Sequence, residues 1–284
     1  MNETFVLGAV AYDPKVVTIW DGFTQFFAER GLRFDYVLFT SYERQVRAHF
    51  DGLIDVAWNS PLAGLQTERI AARRGRRARA IAMRDTDFDL TSFVVTTADS
   101  PLQTLADLRG RKIAVGAADS PQATLIPLLH LQRAGLAPGR DVEVVRFDVL
   151  LGKHGDHIGG ERDAARALVR GEVDAACMID GNHLAFSRQG TLPAGTRVLA
   201  RTAPYDHCNF TVLDDAPSAP TERFLECLLG MSYDDPRVRP LMDLEGLHAW
   251  KPGRTEGYAL LGEACDTFGS IDAFVEAASP RASS

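Results

Sequence analysis

Cysteine is scarce: four in 284 residues. Cys177, Cys208, Cys227 and Cys265 show no CxxC or other paired spacing. They read as free thiols of a reducing compartment, not as a disulfide framework. Basic charge is also short, with 31 Lys and Arg against 38 Asp and Glu and a net charge of −7. Bulk attraction to nucleic acid or anionic lipid is therefore not expected. The one basic cluster, RRGRRAR over residues 73–79, falls between a helix and a strand and reads as a solvated connector. No run approaches the ~18 apolar residues of a membrane helix, so membrane insertion is not expected. After Met1 there is no basic segment, long apolar segment or small-residue cleavage site. A cytoplasmic location is the expectation, and a periplasmic one the alternative if a leader has been removed. Internal repeats and low-complexity stretches are lacking too, apart from a polar tail at residues 279–284.

What remains is ordinary for a soluble globular chain: 45% hydrophobic and 24% charged residues, over a length ample for a core. Strand-like and helix-like patterns alternate, which argues for parallel α/β architecture. Strands are expected near residues 5–11, 34–39, 54–58, 80–83, 92–96, 113–115, 142–147, 175–179, 197–200 and 207–213. Helices are expected near 15–30, 42–50, 61–72, 121–134 and 161–170. The segment from 220 to 278 reads as mostly helical.

The stretch 96–127, TTADSPLQTLADLRGRKIAVGAADSPQATLIP, is the most informative. A buried strand there feeds into a helix at Ser120. Ser120 suits an N-cap, and Pro121 suits the first helical position, where a missing N–H costs nothing. A strand end meeting a helix N-terminus gathers free N–H groups at one spot, which suits an anion.

This stretch resembles the second-lobe opening of the phosphonate-binding proteins of ABC transporters, the PhnD-like group of type 2 solute-binding proteins. Residues Asp107-Leu108-Arg109-Gly110-Arg111-Lys112 and Pro127 carry the likeness. Asp55-Val56-Ala57-Trp58-Asn59-Ser60-Pro61-Leu62-Ala63 is similar to that family's strand end, and AARALVRGEVDAA (164–176) to its helix and following strand. The resemblance implies a two-lobed type 2 periplasmic-binding-protein-like α/β fold with two crossover strands and an interlobe ligand cleft. Lobe 1 would comprise residues 1–97 and 203–284, and lobe 2 residues 98–202. It implies a protein that binds a small anionic metabolite and needs no cofactor, with an ABC permease as partner only if the chain is exported.

In such folds the ligand sits at the carboxyl ends of strands. That rule selects Tyr12, Trp58, Asn59, Ser60, Ser120, Gln122, Thr124 and Asp180 as ligand-binding candidates. The chain departs from the family at two places. Ser120-Pro121-Gln122-Ala123 replaces a Ser-Thr-Ser-Gly pattern, and Glu161 stands where the family has a histidine. At these positions Gln122 and Thr124 can serve a carboxylate or a mixed polar group in place of phosphonate.

Four of the seven histidines, His154, His157, His183 and His207, lie near expected strand ends. This leaves a second reading open: a cytoplasmic lyase or decarboxylase acting on a small carboxylate. Related folds of that kind include chorismate dehydratase and dihydroxyphthalate decarboxylase. His154, His157, Glu161 and His207 would then be the catalytic candidates. His154, Asp156 and His157 are candidates for divalent metal ligands. Cys208 beside His207 is set aside as a nucleophile pair, because neighbouring strand residues face opposite ways.

Overall fold

The computed structural model describes residues 4–155 and 159–279. In chain order the first elements are β1 (Phe5–Val10), α1 (Lys15–Ala28), β2 (Phe34–Phe39), α2 (Tyr42–Phe50), β3 (Val56–Asn59), α3 (Pro61–Arg73), β4 (Ala78–Arg84) and β5 (Ser92–Thr96). Then come β6 (Lys112–Val115), α4 (Ile126–Arg133), β7 (Glu143–Arg146), α5 (Gly159–Val169), β8 (Ala175–Ile179), α6 (Asp180–Arg188) and β9 (Arg197–Arg201). The last are β10 (Asn209–Leu213), α7 (Ser218–Leu229), α8 (Arg239–Glu245), β11 (Trp250–Pro252), α9 (Ala259–Phe268) and α10 (Asp272–Ala278).

The chain divides into two compact units. Unit 1 holds the residues up to Phe88, Asp206–Tyr258 and those from Ile271 onward; unit 2 holds Asp89–Tyr205 and Ala259–Ser270. Unit 1 is built on a six-stranded sheet in the order β11-β4-β10-β3-β1-β2. β1 runs parallel to β2 and β3, and β10 runs antiparallel to β3 and β4. Helix α1 buries Val16, Ile19, Trp20, Phe23, Phe26 and Phe27, an i, i+3, i+4, i+7 stripe that covers this sheet. The rings continue inward: Trp58 and Phe210 lie 4.6 Å apart, Phe210 and Trp250 5.3 Å, and Phe27 and Phe224 5.0 Å. Each such ring hides on the order of 150–250 Å². At ~25 cal/mol per Å² that is about 4–6 kcal/mol of gross burial per ring.

Unit 2 is built on a five-stranded sheet in the order β7-β6-β8-β5-β9. β6 is parallel to β7 and β8, while β5 is antiparallel to β8 and β9. Its central strands are mostly apolar because both faces are covered. Val94, Ile113, Val115, Ala175 and Cys177 join one core cluster, and their neighbours Val95, Ala114, Ala176 and Met178 join the other. The period of two sorts successive residues to opposite faces.

The structure differs from the sequence reading in several places. The unit boundaries fall at Phe88/Asp89 and Tyr205/Asp206, because β5 pairs with β8 and β9 inside unit 2. α9 also lies in unit 2, where Arg133 of α4 donates to Glu263, so residues 203–284 do not all join lobe 1. A strand, β11, interrupts the stretch read as helical and pairs antiparallel with β4. The helix expected at 121–134 opens with a π-helical turn, Pro121–Leu125, before α4. The basic cluster is not a simple solvated connector: Arg76 donates to Asp214 at 3.0 Å and also pairs with Asp215, tying the start of β4 to the end of β10.

Candidate functional site

Within unit 2, the carboxyl end of β6 meets two helix starts. Ser120 caps the π-helical turn, its Oγ accepting from the Ala123 N–H at 3.2 Å. The loop after β7 lies against this turn, and Gln122 Nε2 donates to the Gly155 carbonyl at 2.9 Å. Gly155 has φ +64°, and a Cβ there would come within 2.6 Å of the Ser120 side chain, so only glycine fits. Gly160 brings the start of α5 equally close: a Cβ on it would lie 2.8 Å from Gly116 Cα. His154, next to Gly155, is buried rather than solvated. Asp156 and His157 lie outside the described residues.

Glu161, in the first turn of α5, is 2% exposed. Burial pushes its carboxyl up to about 8, against the opposing pull of hydrogen bonds from Asn182 and the Ile179 backbone, and nearby Asp180 raises it further. Below that pH the side chain is a neutral acid that can donate a proton. Three buried side-chain atoms here find no partner among the described residues: Glu161 Oε1, Thr124 Oγ1 and Gln122 Oε1. Asp180 is engaged, accepting from Thr91 Oγ1 at 2.8 Å and from the Gly181 N–H at 2.7 Å. Ser92 and Tyr205 were not legible as site residues. The Ser92 Oγ donates to the Gln122 carbonyl at 2.6 Å and lies 2.7 Å from the Tyr205 hydroxyl, which fixes the helix start to β5. A serine at the head of a mostly apolar strand was the available signal.

Within unit 1, the candidates form a buried polar chain. Gln45 Nε2 donates to the Trp58 carbonyl at 3.0 Å and to Asn59 Oδ1 at 2.8 Å. Asn59 Nδ2 donates to Thr211 Oγ1 at 3.0 Å, which donates to Asn209 Oδ1 at 2.5 Å. Asn209 Nδ2 reaches the Tyr258 hydroxyl at 2.9 Å, and that hydroxyl donates to the His207 carbonyl at 2.8 Å. Asn59 is thus a node of the sheet, fully buried. Ser60 caps α3, its Oγ accepting from Ala63 N–H at 3.1 Å. Trp58 is 6% exposed and packs in the aromatic core, with the Arg84 guanidinium 5.1 Å from its ring. Tyr12 is half-buried against the same core, and Lys15 Nζ lies 6.0 Å from its ring centroid.

His207 and Cys208 precede β10, so strand alternation does not separate them. The Cys208 Sγ lies 3.1 Å from His207 Nδ1. Asp87 Oδ1 lies 3.6 Å from the same nitrogen. Burial disfavours the Asp87 charge, yet bidentate contact with Arg84, at 2.7 and 2.8 Å, brings its carboxyl down to about 2. Burial likewise opposes the Arg84 charge, and Asp87 and Glu245 together hold its guanidinium well above its ordinary value.

The sequence candidates therefore gather as two sets. Ser120, Gln122, Thr124, His154, Glu161 and Asp180 border the strand ends of unit 2. Trp58, Asn59 and His207 share the buried lattice of unit 1, Ser60 caps α3 next to it, and Tyr12 lies on the edge of its core.

A family model described as the ABC-transporter phosphonate periplasmic substrate-binding protein matches residues 9–258. No curated protein matches the sequence. Among solved structures, PhnD1 of Prochlorococcus marinus in complex with methylphosphonate superposes with a TM-score of 0.70 at 16% identity, over 95% of this chain and 100% of that one. A Xanthomonas citri protein bound to ATP gives 0.69 at 19% identity, over 97% and 98%. A binding-protein component of a Pseudomonas aeruginosa phosphonate transporter gives 0.65 at 10% identity, over 96% and 89%. At these identities the likeness is one of fold, and it is the two-sheet α/β fold of periplasmic binding proteins.

Proposed function

Because this chain belongs to the phosphonate periplasmic substrate-binding protein family of ABC transporters, we propose that it binds a small, singly protonated oxyanion of the phosphonate and phosphate class at the strand ends of unit 2. The observation that carries this reading is the trio of buried atoms on Gln122, Thr124 and Glu161 that have no partner among the described residues. An unmet buried polar atom costs ~1–3 kcal/mol, so a ligand that satisfies all three regains that cost on binding. The Thr124 hydroxyl and the neutral Glu161 acid are donors, and Gln122 Oε1 is an acceptor. A hydrogen phosphonate offers both acceptor oxygens and one O–H. A sulfonate of the same shape offers acceptors only. The start of α5 adds backbone N–H groups and the positive end of its dipole.

Family membership favours binding over the lyase or decarboxylase reading. Delivery of the bound ligand to a membrane permease is part of the proposal. The test is titration calorimetry of the full chain, below neutral pH, with methylphosphonate, inorganic phosphate, methanesulfonate and acetate. Methylphosphonate or phosphate should bind, and methanesulfonate should be weaker by more than about 10-fold, the equivalent of ~1.4 kcal/mol for an unpaired Gln122 Oε1. Equal binding of methanesulfonate and methylphosphonate, or no binding of any of them, contradicts the proposal.

A further inference from the structure

We propose that Asp87, His207 and Cys208 form a site for a thiophilic divalent cation of the zinc class, in unit 1 and separate from the oxyanion site. Three donor atoms, Cys208 Sγ, His207 Nδ1 and an Asp87 carboxylate oxygen, lie within 4.8 Å of one another. The Sγ–Nδ1 separation is 3.1 Å and the Nδ1–Oδ1 separation 3.6 Å. Ligands at zinc–sulfur ~2.3 Å and zinc–nitrogen or –oxygen ~2.0–2.1 Å, at tetrahedral angles, stand ~3.3–3.6 Å apart. The Sγ–Nδ1 pair is about 0.4 Å shorter than the sulfur–nitrogen value and the Nδ1–Oδ1 pair about 0.3 Å longer than the nitrogen–oxygen value, so these side chains adjust by a few tenths of an ångström on binding.

The orientation separates this reading from a nucleophilic triad. In a proton relay the nucleophile and the orienting carboxylate face opposite nitrogens of the imidazole. Here both contact Nδ1, so the ring cannot pass a proton from one to the other. Charge supports the same conclusion. With the thiol ionised, Cys208, Asp87 and Glu245 carry three negative charges around Arg84, whose guanidinium contacts both carboxylates. A divalent cation balances the remaining two. Asp87 Oδ1 also accepts from Arg84 and from the Cys208 N–H, so the sulfur and the imidazole are the principal ligands and Asp87 the weaker third. His207, with a side chain 12% exposed, is the least buried member. Binding breaks the S–H bond, forms the metal–sulfur bond and releases one proton to solvent, so affinity should rise with pH.

The experiment uses the reduced, metal-stripped full chain and Co(II) as a spectroscopic probe, with Zn(II) as competitor. One equivalent of Co(II) should give a thiolate-to-metal charge-transfer band that Zn(II) abolishes. Cys208→Ser should remove the band, while the other three cysteines remain as internal controls. His207→Ala should weaken binding by more than the ~10–100-fold that loss of a supporting partner costs. Circular dichroism and a urea midpoint establish that the variants fold, and His207→Gln, which keeps the thiol, serves if Cys208→Ser folds poorly. A folded wild-type chain without the band, or a band that survives Cys208→Ser, overturns the proposal.

Discussion

Glu161 sets a pH dependence that can be worked out in advance. Its carboxyl titrates near 8 in the fold against 4.5 in the unfolded chain. Between these values the native state holds a proton that the unfolded state has released. Stability attributable to this group is therefore full below pH 4.5, falls as pH rises, and levels off above about 8. Each pH unit inside the window costs up to ~1.4 kcal/mol, and the step from pH 6 to pH 8 costs about 2 kcal/mol after integration. Glu161→Gln keeps the shape and cannot ionise, so it lacks this dependence. Urea unfolding of both proteins across pH 5 to 9 is the assay. The difference in unfolding free energy should grow by about 2 kcal/mol from pH 6 to pH 8, the variant becoming relatively more stable. Parallel curves over that range would show that Glu161 is ionised in the fold, and the reasoning about a neutral donor would fail.

Three further outcomes are expected. Asp87→Asn leaves buried Arg84 with less compensation and should cost about 3–5 kcal/mol in urea unfolding, whereas wild-type Asp87, at about 2, should lose its stabilising contribution only as pH falls below its unfolded value of 3.8. Trp58→Ala empties the ring from an aromatic core and should cost about 3–5 kcal/mol, read as a lowered midpoint with an unchanged slope. Gly155→Ala places a methyl group against Ser120 at positive φ, and it should lower stability by more than ~1 kcal/mol and weaken methylphosphonate binding in calorimetry.

The fold was legible wherever local pattern and tertiary demand agree. The Val16–Phe27 stripe announces α1, and the Ser120-Pro121 pair announces a helix start. β11 escaped notice because three residues ending in a proline carry no periodicity, and their pairing with β4 is a backbone matter. The placement of α9 in unit 2 depends on its contact with α4, which sequence order does not reveal. Side-chain polarity marked Asn59 at a strand end but not its partner Thr211, 152 residues away. Cys208 was set aside by a strand rule that does not hold at its position, because β10 begins one residue later. Glu161, Gln122 and Thr124 were legible as site candidates from their place in the motif. Their shared lack of partners among the described residues is a property of packing, which sequence order does not reveal.

Thr124→Val tests the central claim most directly. Thr124 is 1% exposed and its hydroxyl has no partner among the described residues, so an isosteric methyl in its place removes no hydrogen bond to any of them. Stability should hold or rise, since an unmatched buried hydroxyl is itself a cost. Methylphosphonate affinity, measured by calorimetry on the same folded sample, should fall by about 10–100-fold, the equivalent of ~1.4–3 kcal/mol for a lost hydrogen bond to a charged ligand. A Thr124→Val protein that binds methylphosphonate within about twofold of the wild type contradicts the claim that the ligand is held at these strand ends.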